Sequence, residues 1–409
     1  MPIKHHVKKL FPWVLWSITV IFVLFQFMLQ ISPSVMVSNL ERAFNIGTVG
    51  IGFLSGCIYY TYLPLQIPAG WLVDKVGARR VLLISALGSI ITCVGFAFAH
   101  TFWLAFLSRL MMGVFIAPVL VSSMIIASQW FSAARFALLV GVIEGIGLLG
   151  AAFGENILAL GVKNIGWRHS ILLCAWVALI IMILIWLIVR DKKQTNEIKF
   201  AEHPGQQVNA FKMPQVWLNG IFAGFLFAPL ITFASLWCVP YIIRLCHANL
   251  KMAAFLCSLI FIGAAIGNPI IGWFSNFINR RKITMQMGTA MTLIFMIAIT
   301  FINPRPVFVV AMILFCLGFF SGVYVLPFAI MHDILPEGSR GMALGFINMM
   351  CILLGGPLLQ PFIGWIISAP ATNIGHTVVS LGVYRYGLDV ISICLLLGLF
   401  VSFFIKESL

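Results

Sequence analysis

The chain has 409 residues and is 62% hydrophobic but only 9% charged, with a formal net charge of +14. A soluble domain is about 25% charged, so this composition excludes an ordinary soluble protein and predicts an integral membrane protein. The basic residues lie mostly in short segments between apolar runs, which argues against a nucleic-acid partner and indicates a signal of membrane topology.

Apolar runs of about 18 residues or more recur along the chain, and each is long enough to cross about 30 Å of hydrocarbon as a helix. Helices satisfy their own backbone hydrogen bonds in lipid, so the runs predict an all-α membrane protein with twelve transmembrane helices in two parallel six-helix halves. The predicted spans are roughly 11–37, 49–71, 80–98, 103–124, 136–160, 168–189, 215–243, 252–275, 283–302, 306–331, 340–368 and 384–405.

One long polar stretch, 190–214, separates the two halves. It predicts a flexible cytoplasmic linker between an N-terminal six-helix bundle, 1–189, and a C-terminal six-helix bundle, 215–409. With the N-terminus inside, the cytoplasmic segments hold 17 Lys and Arg residues and the outer segments hold 7. This bias follows the positive-inside rule and predicts that both termini lie in the cytoplasm.

The first two predicted helices carry polar side chains that are candidates for binding a solute. Gln26 and Gln30 lie one turn apart on one face, where amides can bind both a carboxylate and an amine or can join helices. Tyr59 and Tyr62 lie nearer mid-membrane, and an aromatic ring with a polar tip suits a mixed pocket. An interfacial aromatic belt is the alternative for these tyrosines.

The loop after the second helix, "GWLVDKVGARR", concentrates ionisable residues and glycines in a short turn. A related stretch, "GWFSNFINRRK", follows the second helix of the other half, 202 residues later. We interpret the first copy as a gating loop that can lock one conformation, with a purely topological basic turn as the alternative. The residues assigned to this loop are Gly70, Asp74, Lys75, Gly77, Arg79 and Arg80.

Three ionisable residues lie within the predicted spans of the first half. Each costs about 2.5–3.5 kcal/mol on insertion scales and therefore calls for a functional hypothesis. Arg109 and Glu155 lie at similar depth on adjacent helices and predict a buried ion pair. Glu144 lies eleven residues before Glu155 on the same helical face and is a candidate proton carrier or contact for a substrate amine. The alternative is that both acids are structural and never titrate.

The second half carries Trp237 on the seventh predicted helix of the chain and Tyr324, Asn348 and Gln360 on the tenth and eleventh. Trp237, Tyr324 and Asn348 are candidates for substrate binding. An interfacial aromatic belt is the alternative for Trp237, and plain helix packing is the alternative for Gln360. This half has no deeply placed acid, so coupling chemistry is predicted in the first half.

Several classes of protein chemistry lack a signal. The nine cysteines are scattered singly and predict packing residues rather than disulfides or a metal site. No metal-spaced histidine pair and no nucleophile elbow occurs, so we expect no catalytic residue, no metal, no cofactor and no enzymatic activity.

These motifs together resemble those of the major facilitator superfamily over nearly the whole chain. The gating loop is similar to the superfamily's signature loop, and "RLMMG" at Arg109–Gly113 is similar to its fourth-helix motif. The stretches "LQISPSVMVSNLERAF", "YYTYLPLQIPAGWLVDKVG" and "FGENILALGVKNIGWRHS" resemble a bacterial subgroup similar to the lysosomal dipeptide transporters and the intraphagosomal amino-acid transporters.

The resemblance implies a secondary active or facilitative transporter that moves amino acids or dipeptides by alternating access, with or without proton coupling. Transport of a siderophore, an organic anion or a drug is the alternative. The implied partners are a small-molecule substrate, protons and the lipid bilayer. A multi-pass protein of the bacterial inner membrane is expected, and a monomer is the superfamily default by analogy.

Overall fold

The computed structural model describes residues 3–131, 133–191, 212–301, 306–335, 337–368 and 380–406, and every regular element in these ranges is helical. The α-helices in chain order are α1 (Ile3–Ile31), α2 (Val37–Phe44), α3 (Thr48–Val76), α4 (Ala78–Ala97), α5 (Phe102–Trp130), α6 (Ala133–Ile188), α7 (Pro214–Ala228), α8 (Cys238–Cys246), α9 (Leu250–Ile278), α10 (Arg281–Phe301), α11 (Val307–Ser321), α12 (Leu326–Ile334), α13 (Glu337–Leu353), α14 (Gln360–Ser368) and α15 (Leu381–Ser402).

These helices account for the twelve predicted spans. Among the described residues ten helices are long and apolar enough to cross a membrane, or eleven if the bent pair α2 and α3 counts as one. The 56-residue α6 is too long for one crossing and is broken at Gly166, whose φ of 80° is a left-handed value. Since α6 therefore supplies two crossings, the described architecture is an all-α membrane protein of twelve spans, as predicted.

Four short segments interrupt the α-helical hydrogen bonding of the spans. Ser32–Val35 and Gly322–Val325 are 3₁₀ turns, whereas Pro229–Trp237 and Leu354–Leu359 are π-helical. Proline removes a backbone donor and bends a helix, and three of these segments contain one. Irregular backbone at membrane depth is tolerated where protein covers it or where it lines a cavity, so these breaks are candidate positions for function.

The chain divides into two compact units. Unit 1 is Met1–Ser32 with Cys57–Ile198, and unit 2 is Pro33–Gly56 with Lys199–Leu409. In unit 1, α1 packs on α6 and α4 packs on α5 and α6. In unit 2, α9 packs on α11, α7 on α13 and α10 on α15.

The two copies of the loop motif share a positive φ at the same position but differ in ψ, which is 143° at Gly77 and 35° at Asn279. Gly77, at the start of α4, has φ 95°, and its counterpart Asn279 has φ 52°. The tryptophans of the two copies, Trp71 and Trp273, are 62% and 64% exposed. The internal repeat that the sequence predicts therefore recurs in the structure, at the position where each half turns from its second helix to its third.

One prediction about the cysteines is wrong. Cys238 and Cys257 form a disulfide between α8 and α9, with their Cα atoms 6.0 Å apart. The two residues are 19 positions apart in sequence and lie on different helices, so their spacing carried no pairing signal. Seven described cysteines form no disulfide, and five of them are buried, which agrees with a packing role.

Candidate functional site

A polar cluster lies inside unit 1, where three helices meet. Gln26 of α1 donates a hydrogen bond from Nε2 to the hydroxyl of Tyr62 on α3, at 3.1 Å. The same hydroxyl interacts with the side chain of Gln66, and the carboxyl of Glu144 on α6 lies within electrostatic range of it. Gln26 and Tyr62 are buried, whereas Gln66 and Glu144 are half-buried. We call these four residues the amide–acid cluster.

Local sequence explains why the cluster forms. Tyr59, Tyr62 and Gln66 follow the i, i+3, i+7 spacing that places side chains on one helical face. Glycines on α6 bring Glu144 close to α1, because the lack of a side chain at these positions lets the two helices approach each other closely. A Cβ at Gly150 would lie 2.5 Å from the carbonyl oxygen of Leu24. This is the small-residue packing typical of membrane helices.

The cluster has unused hydrogen-bonding capacity. Among the described residues, Gln26 Oε1 and Gln66 Nε2 are buried and have no hydrogen-bond partner. A buried polar atom without a partner costs about 1–3 kcal/mol, so a ligand that supplies the missing partner binds favourably. Gln26 Oε1 and the Glu144 carboxylate can accept hydrogen bonds, and Gln66 Nε2 can donate one. The arrangement therefore suits a small solute that carries both a donor, such as an amine, and an acceptor, such as a carboxylate.

Of the other predicted residues of the first two helices, Tyr59 packs beside the cluster, whereas Gln30 contacts Arg109 through its backbone. The Tyr59 ring is buried, and its centroid lies 6.5 Å from that of Tyr62 in an edge-to-face arrangement. The Gln30 side chain is half-buried, and its carbonyl oxygen accepts a hydrogen bond from Arg109 at 3.2 Å. The predicted shared role of Gln26 and Gln30 thus rests on Gln26 alone among the contacts described.

Arg109 is fully buried and stabilises the end of α1. Its guanidinium donates hydrogen bonds to the carbonyl oxygens of Leu29 at 2.8 Å and Gln30 at 3.2 Å and to Ser32 Oγ at 3.3 Å. The last carbonyls of a helix have no partner within the helix, and here the chain also enters a 3₁₀ turn. Glu155 is fully buried as well. Its pairing with Arg109 remains a prediction.

The predicted residues of unit 2 separate into packed and accessible groups. Trp237 is fully buried at the end of a π-helical segment and contacts the ring of Tyr384, with the centroids 6.4 Å apart. Gln360 is fully buried and donates from Nε2 to the Ile231 carbonyl at 2.6 Å and to Ser235 Oγ at 3.0 Å. These contacts are helix packing, which was the alternative for Gln360.

Tyr324 and Asn348 are half-buried, as a residue that lines a cavity is expected to be. The hydroxyl of Tyr324 accepts a hydrogen bond from Asn268 Nδ2 at 3.2 Å. Sequence reasoning missed Asn268, and it gave Gln66 no role in the site. Gln66 had a detectable signal, because it lies four residues after Tyr62, whereas Asn268 is separated from Tyr324 by 56 positions.

The gating loop is held by a residue outside the predicted set. The Asp191 carboxylate, which follows the last crossing of α6, accepts a hydrogen bond from the backbone N–H of Arg79 at 3.1 Å. Arg79 also donates from its side chain to the Trp186 carbonyl, and Lys75 Nζ lies 4.8 Å from the centre of the Trp71 ring. Arg80 is exposed. The side chain of Asp74 and the environment of Gly70 lie outside the described part of the chain.

A helical membrane protein with twelve spans, broken helices and a partly unsatisfied polar cluster within its helices has the features of a membrane transporter. The chain belongs to the Major Facilitator Superfamily, whose family model matches residues 15–358 and, in a second match, residues 238–407. It is therefore a multi-pass transporter of small solutes and not an enzyme.

Two relatives whose solutes are named are distant from this chain in sequence. The chain is 22% identical to a probable galactarate/D-glucarate transporter, GudP, of Escherichia coli strain K12, over 94% of this chain and 93% of that one. It is 21% identical to the D-galactonate transporter of Escherichia coli O6:H1, over 85% of this chain and 88% of that one. These names belong to sugar-acid transporters, so the expected subgroup of amino-acid and dipeptide transporters is not confirmed.

A solved structure agrees with the fold. A crystal structure of a bacterial homolog to the human lysosomal transporter Spinster, in an inward-facing and occupied conformation, superposes with a TM-score of 0.82. It covers 97% of both chains at 14% sequence identity. At that identity the likeness shows the shared helical fold and carries no statement about the solute.

Proposed function

We propose that the chain transports a small amine-bearing carboxylic acid, such as an amino acid or short peptide, with Glu144 as the residue that meets the amine and carries a proton. The observation that supports this is the amide–acid cluster. It offers the Glu144 carboxylate and Gln26 Oε1 as acceptors and Gln66 Nε2 as a donor, and the two amide atoms are buried without a hydrogen-bond partner among the described residues. A solute that carries both charges complements those groups.

A transport cycle follows from this arrangement. The solute amine binds Glu144 when the carboxylate is charged, and a proton that replaces the amine neutralises Glu144 for the return step. Coupling of this kind needs one titratable group exposed in turn to each side of the membrane, which alternating access supplies. The proposal includes a monomer in a bacterial inner membrane with both termini in the cytoplasm, as the distribution of Lys and Arg predicts.

Sugar acids are the second candidate solute, and the names of the relatives favour them. A sugar acid offers hydroxyl groups to Gln26 and Gln66 but brings a negative charge toward Glu144. Two like charges in a desolvated site repel, so Glu144 would have to be protonated when the solute binds. The two candidates therefore predict opposite responses to removal of the Glu144 charge.

The test is the isosteric change Glu144→Gln in the purified full chain, with binding measured by thermal shift and calorimetry. The ligands are the twenty amino acids, a dipeptide panel, D-galactarate and D-galactonate. A ligand at about 100 times its Kd stabilises by roughly 2.7 kcal/mol, which a thermal shift detects. We expect amino-acid binding to weaken by about tenfold to a hundredfold in Glu144→Gln, since a charge-assisted hydrogen bond is lost.

Glu41→Gln is the matched control, because it makes the same chemical change in α2, outside the cluster. We expect it to leave binding unchanged. Sugar-acid binding that survives or tightens in Glu144→Gln would support the second candidate instead. A panel without any stabilising ligand would contradict both candidates. In proteoliposomes, Glu144→Gln should also abolish uptake driven by a proton gradient while solute exchange persists.

A further inference from the structure

Unit 2 holds an aromatic patch made of Phe227, Asn268 and Tyr324. The rings of Phe227 and Tyr324 lie tilted against each other with their centroids 4.7 Å apart. Asn268 Nδ2 donates a hydrogen bond to the Tyr324 hydroxyl at 3.2 Å. The three residues come from α7, α9 and the 3₁₀ turn Gly322–Val325, and all three are half-buried.

The patch lies where two spans are interrupted. Phe227 is followed two residues later by Pro229, which opens a π-helical segment, and Tyr324 lies in the 3₁₀ turn that joins α11 to α12. Asn268 precedes Pro269 within α9. Breaks at membrane depth are tolerated where protein covers the backbone or a cavity admits water. The patch is therefore a place where a span can present side chains to a solute.

Close helix packing holds Asn268 in place. A Cβ at Gly322 would lie 2.8 Å from Asn268 Oδ1, and a Cβ at Gly267 would overlap the carbonyl of Phe319. These glycines let α11 and the following turn pack directly on α9. Asn268 Oδ1 is buried and has no hydrogen-bond partner among the described residues. Its amide group therefore makes one described hydrogen bond, and that bond orients the Tyr324 ring.

The patch faces away from lipid. Ile266 and Ile270 are 43% and 44% exposed, as lipid-facing residues are expected to be. Each is two positions from Asn268, which is about 200° around the helix, so Asn268 lies on the opposite face of α9. Asn268 is consequently half-buried on the side of α9 that faces the rest of the protein and not the hydrocarbon.

We propose that Phe227, Asn268 and Tyr324 form a subsite for an apolar or aromatic group of the transported solute, in which Asn268 is the positioning residue for the Tyr324 ring. The inference rests on the proposed function only in that the chain binds a small organic solute. The subsite selects among solutes by their side groups, and the charged end of the solute is recognised elsewhere. Two tilted rings favour a third ring in an offset or edge-to-face arrangement.

The experiment uses three pairs of probes that differ by a phenyl group: glycine with L-phenylalanine, acetate with phenylacetate, and methylamine with phenethylamine. Binding to the purified full chain is measured by calorimetry and thermal shift. In at least one pair, we expect the phenyl-bearing probe to bind about threefold to tenfold tighter than its partner, the range that an aromatic contact provides. Tyr324→Leu, which keeps an apolar side chain of moderate size, should reduce that ratio toward one.

Asn268→Ala should reduce the same ratio while leaving the affinity for the smaller probe unchanged, because it frees the ring without removing it. A residue needed only for folding would change both affinities together. Phe255→Ala is the control on the same helix, since Phe255 is 50% exposed and apolar, and it should leave the ratio unchanged.

The subsite is overturned if no pair shows a phenyl preference in the wild-type protein, or if the preference persists in both Tyr324→Leu and Asn268→Ala. Failure of the proposed function has a different result. The phenyl preference would then appear in the acetate or methylamine pair, while glycine and L-phenylalanine do not bind or Glu144→Gln has no effect. The ratio therefore tests the side-group subsite whichever charged group the solute carries.

Discussion

The two units differ in the polar side chains and in the backbone geometry of their transmembrane segments. In unit 1 a buried arginine bonds to the end of α1, and an acid and two amides face one another around a tyrosine. In the described part of unit 2, the fully buried polar side chains of the spans are neutral, and two spans change to π-helical geometry instead.

This contrast predicts different roles for the two units. Ionisable groups inside a membrane are costly and are placed where chemistry needs them, so proton and charge recognition is expected in unit 1. A π-helical turn carries backbone that has left its regular hydrogen bonding, so unit 2 holds deformable spans and an aromatic patch. Each unit is therefore expected to depend on the feature that distinguishes it.

The largest effect is expected at Arg109. Arg109→Met keeps most of the side-chain volume but removes the donors to Leu29, Gln30 and Ser32. Each buried acceptor left without a partner costs about 1–3 kcal/mol, so the free energy of unfolding should fall by about 3 kcal/mol. Thermal and denaturant unfolding in detergent measure the change. Arg80→Met removes an exposed arginine, and its effect should stay within about 0.5 kcal/mol. Equal effects at the two positions would show that the α1 contacts contribute nothing.

A smaller effect is expected where two π-helical segments of unit 2 meet. Thr232 Oγ1 donates to the Gly355 carbonyl at 3.0 Å, and a Cβ at Gly355 would overlap the side chain of Ile231. Gly355→Ala should therefore destabilise the protein by about 1–3 kcal/mol through overpacking. Gly345→Ala in α13 is the matched control, because a Cβ there meets nothing within 4 Å. That change should stabilise by up to about 1 kcal/mol through helix propensity. If both substitutions destabilise the protein, the cause is the replacement of a helical glycine and not the contact with Ile231.

Much of the architecture was predictable because it depends on quantities that accumulate along the chain. Hydropathy over some twenty residues and the count of Lys and Arg in loops average over many side chains, so the spans could be assigned without knowing any contact. Gln26 and Tyr62 could each be assigned from the sequence as a candidate binding residue, since each is a polar side chain within an apolar span. Their hydrogen bond required only that α1 and α3 be neighbours.

The parts that were not predicted depend on single contacts between distant residues. Asn268 with Tyr324, Asp191 with Arg79 and the disulfide of Cys238 with Cys257 each join separate segments of the chain. No periodicity links such partners, because their meeting depends on how the helices cross. The π-helical segments were similarly hidden, because the glycines and proline of Leu354–Leu359 suit a kink as well as a π-helical segment.

The smallest effects on the free energy of unfolding are expected in the two copies of the loop motif, where the same substitution should affect the two copies differently. Gly77 and Asn279 both have positive φ, so alanine at either position should be destabilising, by roughly 1–2 kcal/mol at Asn279, which is in the αL conformation. A Cβ at Gly77 would also lie 2.5 Å from Asp191 Oδ2, so Gly77→Ala should exceed Asn279→Ala. Asn279→Gly should change the free energy of unfolding by less than about 0.5 kcal/mol, since glycine adopts the same φ freely. In an Asp191→Ala background the penalty of Gly77→Ala should fall, while the part due to its backbone conformation should remain. An unchanged penalty there would mean that the two copies differ for a reason other than Asp191.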